Sequence, residues 1–143
     1  MSELSSDLKL VDAVKFLKLY GLQPEYHSNS SEETKQLQQA ILLIAQESEW
    51  ENIGVCANNL KQGLEALASY LKALGYSYSF SKTEFLQNET DKPVYIKFNT
   101  RQMKYYTESY TGSSRGVLIA MQGNNEMILG TYGYFPLDLF TAA

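Results

Sequence analysis

Histidine, cysteine and tryptophan each occur once in these 143 residues, and proline only three times. Each scarcity closes a class of chemistry. With Cys56 alone, no intramolecular disulfide can form. A zinc site needs about four protein ligands, and one cysteine with one histidine cannot supply them without recruiting carboxylates. A Ser-His-acid triad would have to use His27, and no Gly-x-Ser-x-Gly elbow accompanies it. No stretch approaches the roughly 18 apolar residues of a membrane span. The start, Met1-Ser2-Glu3-Leu4-Ser5-Ser6-Asp7, lacks the basic and apolar regions of a secretory signal, so a cytoplasmic location is expected. Positive charge is also in short supply. Twelve Lys and Arg against 16 Asp and Glu give a net charge of -4, which does not suit a chain that coats nucleic acid or anionic lipid.

What is present is the composition of one globular domain, 44% hydrophobic and 20% charged. Residues 1–75 read as a helical half and 76–143 as a sheet half. Ser5 or Ser6 caps a helix from about Asp7 to Tyr20, with Leu8, Val11 and Leu17 on its apolar stripe and Gly21 as its stop. Ser30 and Glu33 form a capping box for a second helix, in which Leu37, Ala40, Ile41 and Ile44 recur at helical spacing. Past the Trp50 to Ala57 segment, Asn58 or Asn59 caps a third helix carrying Leu60, Leu64, Leu67 and Leu71, closed by Gly75. Gly63 inside it costs about 1 kcal/mol against Ala, which points to close packing there.

Past Gly75 the period changes to two. Tyr76, Tyr78 and Phe80 alternate with Ser77, Ser79 and Ser81 as a strand does. A polar loop from Lys82 to Lys92 leads to further strands at Val94 to Asn99, Lys104 to Tyr110, Arg115 to Gln122 and Glu126 to Tyr132. Their short connections demand antiparallel neighbours. The expected fold is α+β, with three N-terminal helices on one face of a roughly five-stranded antiparallel meander. Leu64, Leu67 and Leu71 should pack against Ile96, Phe98 and Leu118.

Eleven tyrosines stand out, eight of them between Tyr76 and Tyr134. Strands favour them in any case. The short turn after Asn99 sets Phe98 opposite Tyr105, Ile96 opposite Thr107, Lys97 opposite Tyr106 and Asn99 opposite Lys104. Extending the meander with Tyr110 opposite Arg115 places Leu118 and Ala120 on the helix side. The other side then carries Tyr95, Lys97, Lys104, Tyr106, Glu108, Tyr110 and Arg115 around Val117, Ile119 and Met121. Aliphatics ringed by tyrosine and cations resemble an interaction surface. The segment Tyr134 to Phe140 could instead fold back over it.

Candidate binding residues are therefore Lys97, Tyr106, Tyr110, Arg115, Tyr132 and Asp138; the last is the one acid in an apolar C-terminal run, where it could pair with Arg115. A protein partner or a second copy fits this face; the alternative is a small anionic-ligand binder, or an enzyme without a recognised signature, with a pocket at the sheet end. Neither a catalytic residue nor a cofactor or metal is called for. Lys92, Lys97, Arg101, Lys104 and Arg115, interleaved with tyrosine, could in principle contact single-stranded nucleic acid. Without an RNA-recognition signature, nucleic acid is not expected, nor is a membrane.

Several runs together resemble a known family: Gly63-Leu64-Glu65-Ala66-Leu67, Val94-Tyr95-Ile96-Lys97-Phe98-Asn99, Ser109-Tyr110-Thr111-Gly112, and most specifically Gly130-Thr131-Tyr132-Gly133-Tyr134-Phe135-Pro136-Leu137-Asp138. The chain is similar along nearly its whole length to a small uncharacterised family found mainly in cyanobacteria, a domain of unknown function. That resemblance implies an α+β domain in a cyanobacterial cytoplasm and supplies no catalytic residues.

Overall fold

A computed structural model describes residues 10–21, 31–47, 49–86, 92–122 and 130–140. In chain order these form α1 (Leu10–Gly21), α2 (Ser31–Glu47), β1 (Glu49–Ala57), α3 (Leu60–Leu74), α4 (Lys82–Leu86), β2 (Val94–Asn99), β3 (Lys104–Ser109), β4 (Gly116–Gln122) and β5 (Gly130–Phe135). The architecture is α+β, with four helices among the described residues and one open, five-stranded antiparallel sheet. Ser30, His27 and the expected strand start at Glu126 lie outside the described residues.

The strand order is β3-β2-β1-β4-β5, which corrects the expected meander. The first strand lies within the segment expected to be helical, and it occupies the centre of the sheet. Ile53 pairs with Phe98 on one side and Ile119 on the other; Val55 pairs with Ile96 and Val117. Two hairpins, β2-β3 and β4-β5, flank this central strand. The run Ile53-Gly54-Val55-Cys56-Ala57 is buried throughout and therefore shows no alternation of apolar with polar residues.

The segment Tyr76 to Phe80 is not a strand. Its tyrosines and Phe80 do alternate with exposed serines, but their rings lie along the core edge without a ladder partner. Tyr78 meets Phe98 edge-on at 5.2 Å, and Phe80 meets Tyr105 at 5.4 Å. A period of two thus reports an extended chain with one wet side, whether or not it pairs. Within the expected loop after it, Ser81 and Glu84 form a capping box that turns α4. Ser81 N donates to Glu84 Oε1 at 2.7 Å, and Glu84 N to Ser81 Oγ at 3.3 Å.

The third helix matches its sequence closely. Asn59 caps it by accepting from Gln62 N at 2.8 Å. Gly75, at φ 92, ends it in a Schellman arrangement, with Tyr76 N donating to Leu71 O at 2.9 Å and Gly75 N to Lys72 O at 3.2 Å. Gly63 is a close approach: a Cβ there would sit 2.5 Å from Ile96 Cδ1 and 3.3 Å from Ala57 Cβ. Helix α3 lies against β1 and β2, while α1 packs on α2 and β5.

The core joins Leu17 of α1, Leu37, Ile41 and Ile44 of α2, and Leu64, Leu67 and Leu71 of α3 to Ile53, Val55, Ile96, Phe98, Val117 and Ile119 of the sheet. Val117 and Ile119 therefore face the core, and Leu118 and Ala120, both half-buried, take the opposite face. This reverses the expected assignment of that strand. The cause is its neighbour: β4 pairs with β1 rather than β3, and changing the partner shifts the side-chain phase by one, which exchanges the faces.

Candidate functional site

The sheet face away from this core is built from Gly54 and Cys56 of β1, Tyr95 and Lys97 of β2, Tyr106 and Glu108 of β3, and Leu118 of β4. The β2-β3 register is the expected one, with Lys97 opposite Tyr106. An Asx turn sets it, because Asn99 Oδ1 accepts from Arg101 N at 3.0 Å and Gln102 N at 2.8 Å. Met103, at φ 56, then closes the hairpin with its N–H on Asn99 O at 2.8 Å.

Two groups of side chains divide this face. The inner group surrounds Cys56, which is 2% exposed although it points away from the core. Tyr95, opposite Cys56, leans over Gly54 so closely that a Cβ there would lie 2.8 Å from its hydroxyl. Tyr110 folds over Gly112, and Cys56 and Tyr134 lie close enough to its hydroxyl to raise its pKa further. Burial raises the Cys56 thiol, against the smaller opposing effects of the Tyr110 hydrogen bond and the Arg115 charge. Burial likewise raises the hydroxyls of Tyr95 and Tyr110, helped by their neighbours. The cluster is therefore held protonated, an environment for packing rather than for a reactive thiolate.

Arg115 closes one side of this group. Its Nε donates to Asn58 Oδ1 at 2.7 Å, and Nη1 donates to Gly112 O at 2.9 Å and Ser114 O at 2.8 Å. Its guanidinium carbon stands 5.6 Å from the Tyr110 ring centre. Arg115 thus ties the 110–114 turn to the entrance of α3, and these hydrogen bonds do not include Asp138.

The outer group lies toward the sheet edge. Tyr106 is 57% exposed, and Lys97, Lys104 and Glu108 are exposed beside it. The structure brings Lys97 and Tyr106 together and sets Tyr110 with Arg115. Tyr132, in β5, stands opposite Ile119 of β4. Exposed Asp138 belongs to a C-terminal turn docked on the helices. Tyr70 Oη donates to Pro136 O at 2.8 Å, Gln38 Nε2 to Leu139 O at 2.7 Å, and Tyr70 meets Phe140 edge-on at 4.9 Å. From Pro136 onward the segment therefore docks on the helices rather than over the sheet face, while Tyr134 at its start lies beside Tyr110 on that face. Sequence reasoning missed Gly54 and Cys56 as parts of this face, because the strand that carries them is not marked by alternation; across the ladder they stand opposite Lys97 and Tyr95. Asn52, also on β1, keeps its side-chain oxygen buried with no hydrogen bond among the described residues.

Residues 15–140 match the family described as Domain of unknown function (DUF1824). The chain belongs to this family. A DUF1824-like fold is also seen in a crystal structure, at 2.11 Å resolution, of an uncharacterized protein from Anabaena variabilis ATCC 29413; its sequence is 34% identical, with a TM-score of 0.79 over 93% of this chain and 99% of that one. No curated protein matches. The family resemblance read from the sequence therefore holds, including its cyanobacterial neighbour, and neither comparison names an activity. Among the described residues, no helix is long and apolar enough to cross a membrane.

Proposed function

We propose that this DUF1824 protein is a non-catalytic interaction domain of the cytoplasm, with the sheet face away from the core as its contact surface. In this reading the three longer helices act as one layer over the opposite face and hold the sheet rigid. The observation that carries it is Tyr106, 57% exposed opposite an exposed Lys97 on a strand where most side chains are open to solvent. Tyrosine offers apolar area with a polar tip, and lysine selects for acidic groups, so the face suits a protein partner bearing both. The alternative of a small anionic ligand at the sheet end is weakened by Arg115, whose Nε and Nη1 are already engaged by the protein's own oxygens.

The test is capture from a native extract with the Lys97→Glu, Tyr106→Ala double variant. Both side chains are exposed, so thermal unfolding should match the wild type while partner recovery, read by mass spectrometry, falls. A variant that folds normally and captures the same partners at the same yield removes this face from consideration.

A further inference from the structure

The edge strand β3 carries a pattern that is complementary to itself. It has a strand neighbour on one side only, β2, whereas the strand at the opposite edge, β5, is in contact with α1. Tyr110 N donates to Pro93 O at 3.2 Å, which fixes the phase of the β2-β3 ladder. Lys104, Tyr106 and Glu108 aim their backbone groups inward at β2, and Tyr105, Thr107 and Ser109 aim theirs at the open edge. The strand contains no proline, and an unpaired edge of this kind is a template for another strand unless something restricts it.

We infer that this edge pairs antiparallel with β3 of a second copy of the chain, about a two-fold axis through Tyr106. This deepens the reading above, since it names one partner for the same face. With Tyr106 on the axis, Tyr105 and Thr107 exchange backbone hydrogen bonds with Thr107 and Tyr105 of the second copy. On the outer face Lys104 then stands opposite Glu108 of the second copy, and Glu108 opposite its Lys104, on either side of a Tyr106 pair. All three side chains are exposed and free to meet. The neighbouring register, centred on Thr107, would set Tyr106 against Glu108 and Lys104 against Tyr110, with neither charge paired. Charge therefore selects both the partner and the register. A strand pair of this length buries little area, so the dimer is a weak, concentration-dependent one.

Sedimentation velocity on the full chain, at low ionic strength and across a wide concentration range, tests this. The wild type should show a monomer–dimer equilibrium. Lys104→Glu and Glu108→Lys each turn two attractive pairs into two repulsive ones and should each weaken the dimer by about tenfold. An equimolar mixture of the two variants recovers both attractions and should dimerise again, as should the chain carrying both reversals. A wild type that stays monomeric, a dimer indifferent to either reversal, or a mixture that does not recover each overturns the inference. Failure of the broader reading looks different: Lys97→Glu, Tyr106→Ala would then capture partners as well as the wild type does, whatever the state of the dimer.

Discussion

Arg115 has an exposed-looking sequence context, between a serine-rich turn and a strand, yet it makes three hydrogen bonds to the protein itself and covers a tyrosine ring. Arg115→Ala should lower stability by about 1–2 kcal/mol, since each such bond is worth about 1 kcal/mol and the site is partly solvated. Urea denaturation reads the loss directly. Reversing the charges of Arg115 and Asp138 together should not restore it, because Arg115 is anchored to Asn58 and the turn. A second residue-scale consequence concerns Glu84, which accepts from the Tyr105 hydroxyl at 2.5 Å. That bond, followed by the Ser81 backbone N–H, holds the carboxyl below its ordinary value of 4.5. Tyr105 is pushed well above its ordinary 10.0, chiefly by burial and then by Glu84. The unfolded chain thus binds more protons at Glu84 in acid, so this contribution to stability is present above the ordinary carboxylate range and fades as pH falls through the folded value. The tyrosine acts at the other end: its contribution is complete below 10.0 and is lost as pH rises toward its folded value. In a carboxyl NMR titration, Tyr105→Phe should move the Glu84 midpoint back upward; an unmoved midpoint would refute the assigned bond.

Elements were legible where their ends carry chemistry. Asn59 and Gly75 mark α3 by a side-chain acceptor and a left-handed residue, both local requirements that a sequence displays openly. The β2-β3 register was legible for the same reason, since a short turn leaves few ways to align its strands. Strand β1 was not, because a strand buried on both faces loses the polar half of its alternation. Without a central strand the sequence pattern pairs β4 with β3, and that exchange of partner turns Val117 and Ile119 out of the core they actually fill. Lys97 and Tyr106 survived as a pair because they belong to the hairpin. Gly63 is the element-scale test of the packing. Alanine is favoured over glycine in a helix by about 1 kcal/mol, whereas overpacking a tight core costs about 1–3 kcal/mol. Ile96 and Ala57, both fully buried, leave the added methyl no room, so Gly63→Ala should destabilise by up to about 2 kcal/mol. Adding Ile96→Val should return part of that loss; a stabilised Gly63→Ala protein would show the helix can move away from the sheet.

At the scale of the molecule, one core ties the helices to four strands, and its centre is the strand the sequence pattern conceals. Membership of DUF1824 and the Anabaena structure extend that arrangement beyond this chain without naming an activity. The position of β1 has a further consequence, for how the chain reaches this state. Both of its ladder partners come far later in the sequence, after α3 and after the β2-β3 hairpin. During synthesis, α1, α2 and β1 leave the ribosome before any strand that can pair with β1 exists. Closing those long loops must precede the hydrogen bonds that reward it, which slows folding relative to a chain of sequential hairpins. In that interval an apolar strand with two unsatisfied edges is open to pairing with other chains, and the amphipathic helices made before and just after it are the native segments that can shield it.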